Sequence, residues 1–208
     1  MAKRILFQGD SITDCGRDRN SFYGTGNGYP CFVKGSLGMD CPGEYEFINR
    51  GISGNRIVDV YARIKKDIIN LKPDYLSILI GVNDVWHEIS EHNGVSAEKF
   101  RMVYDLLIRE LKEALPELKI LILEPFVLEG PATKHAIDTF TTEVAKRAAV
   151  CKELAEEHGL IFIPLQKKLE ALAQATSNTY VLIDGVHPNI AGHELISREL
   201  YAAYSKIL

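Results

Sequence analysis

The sequence predicts an α/β chain built on a parallel sheet, and three observations carry that expectation. Apolar runs of strand length alternate with longer segments of helical period along the whole chain. The runs are rich in Ile, Leu and Phe with little strict alternation, which suits strands covered on both faces. The connections between them are long enough for helical crossovers, as parallel neighbours require.

The strands expected in order are Arg4–Gln8, Tyr45–Asn49, Asp74–Ile80, Lys119–Glu124 and Leu160–Ile163, and the apolar run Tyr180–Ile183 precedes a last loop. Four helical segments stand out between and after them. In the first, Ile57, Tyr61, Ile64 and Ile68 form an apolar stripe beside Arg63, Lys66 and Asp67. In the second, Ser96 is placed as N-cap, with Phe100, Val103, Leu107 and Leu111 on one face. The third runs from about Phe140 to His158 and stops at Gly159, a residue suited to the C′ position. The fourth begins near Pro188 and carries Ile196, Leu200 and Tyr204.

The 208 residues, with no repeat, linker or low-complexity tract, read as one domain over 1–208. A net charge of −4 lends no support to nucleic acid or an anionic membrane as partner. The four cysteines (Cys15, Cys31, Cys41, Cys151) show no CxxC pair and no spacing shared with histidine, so neither a zinc site nor a disulfide framework is expected. Ile5-Leu6-Phe7 is too short for a signal peptide, and no stretch reaches membrane-spanning length. Membrane insertion is not expected, and the chain reads as cytoplasmic.

In parallel sheets, ligands bind outside the carboxyl ends of the strands. The segments expected there are Gly9-Asp10-Ser11, Arg50-Gly51-Ile52-Ser53-Gly54, Gly81-Val82-Asn83-Asp84 and Asp184-Gly185-Val186-His187-Pro188. Together they hold the parts of an acyl-transfer site. A serine hydroxyl needs a base, the base needs a carboxylate, and the developing oxyanion needs donors. Ser11 supplies the first, His187 the second and Asp184 the third. The oxyanion donors expected are the backbone N–H groups of Ser11 and Gly51 and the side-chain amide of Asn83. Bland readings compete at each position: Ser11 and Asp184 as helix caps, His187 as a surface histidine, Asp10 and Asp84 as loop hydrogen-bonding groups. Asp14 is a rival carboxylate. The set Gly24-x-Gly26-x-Gly28 lacks the spacing and the preceding strand of a dinucleotide loop.

These four segments, in this order, resemble the GDSL, or SGNH, hydrolase family, whose four name-giving residues would be Ser11, Gly51, Asn83 and His187. The resemblance spans nearly the whole chain, from Ile5 to the final helix. It implies a flavodoxin-like three-layer α/β/α fold (the SGNH hydrolase fold), hydrolysis without metal or cofactor, and the roles assigned above. The stretches Gly9–Arg17, Asn49–Asn55 and Gly81–Trp86 look like carbohydrate esterases within the family, the nearest being intracellular acetylxylan esterases. Val127–Asp138 matches those enzymes less well.

The activity implied is hydrolysis of short acyl esters, acetyl above all, on a small molecule or oligosaccharide. Lysophospholipase or thioesterase action is the rival within the family, and a catalytically silent carbohydrate-binding protein the rival outside it. Trp86, Tyr29 and Asp10 are the candidate substrate contacts, Trp86 because a flat aromatic face packs on a sugar ring. Tyr23, Arg17 and Arg56 are weaker candidates, with surface or ion-pair roles favoured for the arginines. A homo-oligomer would follow from the resemblance alone.

Overall fold

A computed structural model describes residues 2–208 of the chain. Five parallel strands form its sheet: β1 (Lys3–Gly9), β2 (Tyr45–Asn49), β3 (Tyr75–Leu79), β4 (Lys119–Leu123) and β5 (Ile161–Ile163). They lie in the order β2-β1-β3-β4-β5. The register sets Phe7 beside Asn49 on one side and beside Ser77 on the other. All five lie where the apolar runs place them, because strands sandwiched between two helical layers must be apolar on both faces.

The two faces are distinct cores. Ile5 and Phe7 join Tyr29, Val33, Leu121, Leu123, Ile196 and Leu200 on one side, while Leu6 joins Ile48, Ile57, Phe100, Leu107 and Leu154 on the other. The first side is covered mainly by α2 (Tyr29–Asp40) and α10 (Ile190–Tyr204). The second is covered by α3 (Ile57–Ala62) and α6 (Ala97–Ala114). The long α7 (Ile137–His158) contributes Phe140 and Val144 to one core and Cys151 and Leu154 to the other.

Several boundaries follow the expected caps. Ser96 accepts a hydrogen bond from the Lys99 N–H, and Gly159 ends α7 in the left-handed region at φ 65°. The stripe from Ile57 to Ile68 is broken, however, into α3, α4 (Ile64–Asp67) and a 3-10 turn at Ile69–Leu71. Arg63 is the break, at φ −113° and ψ 16°. Its guanidinium turns inward to donate to Gln8 Oε1, the Arg50 carbonyl and Asn55 Oδ1.

Tyr180–Ile183 is not a strand. It is the end of a helical turn, α9 (Asn178–Val181), followed by a single antiparallel bridge from Leu182 to Pro188. Four further helices were not expected: the short α1 (Ser11–Asp14), α2, α5 (Val82–Glu91) and α8 (Gln166–Ala175). No helix among the described residues is long and apolar enough to cross a membrane.

Candidate active site

The strand order 2-1-3-4-5 reverses direction at β1 and β3, and ligands bind at the carboxyl edge of such a switch point. Ser11 follows β1 there as the first residue of α1, and Asn83 follows β3 as the second residue of α5. The third contribution comes from the turn Asp184–His187, which no strand supports.

That turn is held by other means. Asp184 Oδ1 accepts the N–H groups of Val186 (2.9 Å) and His187 (2.8 Å), and the Ile183 N–H donates to the His187 carbonyl at 2.8 Å. Gly185 sits at φ +102°, where a Cβ would also strike Thr133 Oγ1 at 2.5 Å. From outside, the segment after β4 clamps the turn. Leu128 N–H donates to the Gly185 carbonyl and Ala132 N–H to the Asp184 carbonyl, each at 2.9 Å. The buried Thr133 hydroxyl in turn donates to the Leu128 carbonyl at 2.7 Å.

The result is a continuous relay. Ser11 Oγ lies 2.8 Å from His187 Nε2, and His187 Nδ1 lies 2.7 Å from Asp184 Oδ2. Burial alone would push the Asp184 carboxyl up. The hydrogen bonds from the His187 backbone, the His187 ring and the Val186 backbone outweigh it and hold the group below its ordinary 3.8. Asp184 is therefore ionised at neutral pH, as a partner to an imidazolium must be. The His187 side chain is 38% exposed, so the relay opens to solvent rather than to a sealed tunnel. An apolar cavity of about 310 Å³ lies elsewhere, between Phe162 and Val144, and is lined by neither Ser11 nor His187.

The glycine expected to complete the oxyanion site has its N–H already committed within the loop. Gly51 gives its N–H to Asn49 Oδ1 at 2.8 Å, and a Cβ at Gly51 would meet the Asp14 nitrogen at 2.4 Å. The close approach that demands glycine is to Thr13 and Asp14 at the end of α1. Asn49 is the organiser of this corner: fully buried, it also donates to the Thr13 carbonyl (2.6 Å) and the Thr25 carbonyl (2.9 Å). Three residues on, the Gly54 N–H has no partner among the described residues. Gly54 adjoins Asn55, whose carbonyl accepts from Asn83 Nδ2 at 3.2 Å, so this second glycine of the loop lies beside the amide. One Asn83 N–H is thus fixed while the other is left over. The Ser11 N–H is likewise uncommitted among the described residues.

Two candidate substrate contacts are also corrected. Tyr29 is fully buried under the sheet, its hydroxyl 2.9 Å from Thr13 Oγ1 and its ring edge-on to Phe7. Asp10 is 1% exposed and caps α1, accepting the Ile12 N–H at 3.0 Å. Trp86, by contrast, is half-buried with its ring 5.9 Å from the His187 ring, and its other edge packs on Phe140. Arg56 pairs with Asp59, Tyr23 is exposed, and the rival Asp14 pairs with Arg19.

Cys15, four residues after Ser11, has its own histidine: Sγ lies 3.4 Å from His193 Nε2. His193 Nδ1 accepts the Tyr29 N–H, so the ring proton resides on Nε2 and faces the sulfur. Burial raises the thiol and lowers the imidazole to about 4, keeping both neutral. The pair packs; it does not form a second nucleophile. His158 is likewise partnered, 2.7 Å from Asp105. No group of three or more His, Cys, Asp or Glu side chains among the described residues is arranged to hold a metal ion.

Asp84 and Asp10 are the buried carboxyls of the site, each pushed up to about 7, chiefly by desolvation. Asp84 accepts the Ile57 N–H and so ties α5 to α3. For a raised carboxyl, the folded state keeps a proton that the unfolded chain has lost between 3.8 and about 7. Stability then declines with rising pH across that window, by at most ~1.4 kcal/mol per pH unit per group, and levels off above it. Asp84→Asn, whose amide oxygen can still accept from Ile57, is expected to gain stability over the parent progressively between these values. Urea melts across that range check this; an offset independent of pH would contradict it.

Comparison with known proteins now bears on the site. Residues 7–195 match the GDSL-like Lipase/Acylhydrolase family. The chain is 34% identical over 203 residues to an acetylxylan esterase of Geobacillus stearothermophilus, covering 94% of this chain and 91% of the relative. A solved structure from Parabacteroides merdae, described as a GDSL-like lipase, superposes with a TM-score of 0.93 at 35% identity, over 99% of this chain and 97% of that one. The acetylxylan esterase Axe2 of G. stearothermophilus superposes with a TM-score of 0.86 at 32% identity, over 96% and 93%. Structures of Axe2 include catalytic mutants at a serine, an aspartate and a histidine.

Proposed function

The chain belongs to the GDSL-like lipase/acylhydrolase family, and from that premise we propose that it is a serine esterase that removes acetyl groups from carbohydrates. The Ser11–His187–Asp184 relay, with spacings of 2.8 and 2.7 Å, is the observation that carries the reading. The Axe2 catalytic mutants support it, because their aspartate and histidine stand three residues apart, as Asp184 and His187 do. The substrate class is carried by the likeness to acetylxylan esterases.

In the proposed mechanism, Ser11 Oγ attacks the acetyl carbonyl while His187 Nε2 takes the hydroxyl proton. Asp184 keeps the other ring proton on Nδ1 and stabilises the imidazolium. The tetrahedral oxyanion is held by the Ser11 N–H, the free N–H of Asn83 and the Gly54 N–H, which takes the place first given to Gly51. His187 then hands its proton to the departing sugar oxygen. Water, activated by the same imidazole, attacks the acetyl-enzyme and releases acetate. The openness around His187 suits a bulky alcohol carrying a small acyl group, with Trp86 as a flat wall for the sugar ring.

Asn83→Ala is expected to lower kcat by ~10²–10³ with little change in KM, the loss found for one oxyanion donor in another hydrolase. Steady-state kinetics on p-nitrophenyl acetate measure it, and an unchanged kcat would remove Asn83 from the oxyanion site. The substrate class is tested by acetate release from acetylated xylo-oligosaccharides beside p-nitrophenyl esters of increasing chain length. Turnover of the oligosaccharides, with rates that fall sharply beyond butyrate, is the expected result. Comparable rates on long acyl chains would replace the deacetylase by a lysophospholipase or thioesterase.

A further inference from the structure

One cluster of charges is left unmatched by the esterase site. A cleft of about 470 Å³ lies past the carboxyl end of β2, walled by Arg17, Arg50, Lys66, Phe22 and Ile52. Asp67, the carboxylate of its wall, is taken by Arg63 at 2.9 Å, and Asp14 nearby is taken by Arg19 at 2.9 Å. Arg17, Arg50 and Lys66 pair with no carboxylate among the described residues.

The two arginines are held, not waving. Arg17 Nε donates to the Gly51 carbonyl at 2.8 Å and Arg50 Nη1 to the Asn49 carbonyl at 3.1 Å, which leaves most of each guanidinium fork free. Burial and the neighbouring cations hold both below the usual arginine range, a cost that a bound anion would relieve. Three cations thus crowd one cleft of a chain whose net charge is −4. Arg50 also lies 4.8 Å from the Phe22 ring centre, and that ring is 42% exposed.

The cleft shares a loop with the nucleophile. Ile52, in its wall, donates its N–H to the Gly9 carbonyl at 3.1 Å, two residues before Ser11, and Gly54 lies two residues beyond Ile52. We propose that the cleft binds the carboxylate of a uronic acid unit on the same oligosaccharide whose acetyl group Ser11 removes. Arg50 and Arg17 fork onto the carboxylate, Lys66 adds charge, and the face of Phe22 that Arg50 does not cover packs on the sugar ring. An inorganic anion would use the cations and leave the aromatic face idle. This assignment rests on the carbohydrate reading above.

The experiment compares two acetylated oligosaccharides of equal length, one neutral and one bearing a single uronic acid branch, by kcat/KM for acetate release. The native protein is expected to favour the uronate-bearing substrate about tenfold at low salt, with the preference shrinking toward parity in ~0.5 M salt. Arg50→Gln, and the surface variant Lys66→Ala as a check on folding, are each expected to cut that ratio several-fold. Equal kcat/KM in the native protein, or a ratio untouched by both variants, overturns the proposal.

A second arm is independent of chemistry: calorimetric titration of Ser11→Ala with the non-acetylated uronate oligosaccharide, its neutral counterpart and inorganic phosphate. Binding of the uronate form alone, lost on adding Arg50→Gln, supports the site even if no oligosaccharide is deacetylated, in which case only the deacetylase reading falls. Phosphate binding as tightly as the uronate form, or no binding of the latter, overturns the site.

Discussion

Ser11→Ala is expected to lower kcat on p-nitrophenyl acetate by ~10⁵–10⁶, the scale seen when the nucleophile of another serine hydrolase is removed, while the melting temperature stays nearly unchanged. The second half of that expectation comes from the structure. The cap of α1 is Asp10, not Ser11, and the only side chain bonded to the Ser11 hydroxyl among the described residues is His187. Deleting Oγ removes one hydrogen bond in a half-exposed site and touches no backbone group. A helix-capping serine would behave in the opposite way, costing about 1 kcal/mol of stability and little activity. Turnover and calorimetric melting, measured on one preparation, separate the two outcomes. Full activity in the variant would remove the nucleophile from the mechanism.

Asp184→Asn is expected to cost ~10⁴ in kcat, the drop known for the equivalent change in another serine hydrolase. Its physical origin is the tautomer of His187. The Asp184 carboxylate does two jobs with separate oxygens: Oδ1 gathers two backbone N–H groups and Oδ2 accepts from His187 Nδ1. An asparagine keeps the first job through its amide oxygen, so the turn survives. At the second position it presents an N–H, which obliges Nδ1 to accept and moves the ring proton to Nε2. Ser11 Oγ, 2.8 Å away, then faces a donor and has no base. The tautomer is readable from ¹⁵N shifts of the imidazole, and an Nδ1-protonated ring in an inactive variant would defeat this explanation. Because the folded-state Asp184 titrates below 3.8, the stability it contributes is present above that pH and is lost as acid protonates it.

The strands were legible because a layer covered on both faces leaves a run of apolar residues and nothing else. Amphipathicity alone did not make the helices legible, since α5 is strongly amphipathic and was not expected, while the weakly amphipathic α7 and α10 were. α2 carries Gly35 and Gly38 in its interior, which argue against it, although Pro30 suits its first turn, and it forms because Tyr29, Val33 and Leu37 are buried against the sheet. α5 begins inside the very Gly-Val-Asn-Asp segment that was read as a loop.

The three residues of the relay could be read because hydroxyl, imidazole and carboxylate each have one chemical use in such a set, and the structure brings them within 2.8 and 2.7 Å. The oxyanion glycine could not, because both Gly51 and Gly54 satisfy the same argument from small size. What separates them is the Asx turn in which the Gly51 N–H donates to Asn49 Oδ1 two residues earlier, a bond the sequence permits at Asn49-Arg50-Gly51 but does not oblige. Tyr29 and Asp10 failed for a related reason: proximity in sequence to a glycine-rich loop or to the nucleophile does not say which way a side chain turns.

The segment Leu128–Thr133 grips the Asp184–Gly185 turn through backbone bonds, and Gly130 lies so near that a Cβ there would come within 2.4 Å of the Asp184 carbonyl carbon. The support of the imidazole therefore reaches back into the loop after β4. A change anywhere in that loop would tug on His187, so the loop can vary only within the latitude that the relay tolerates.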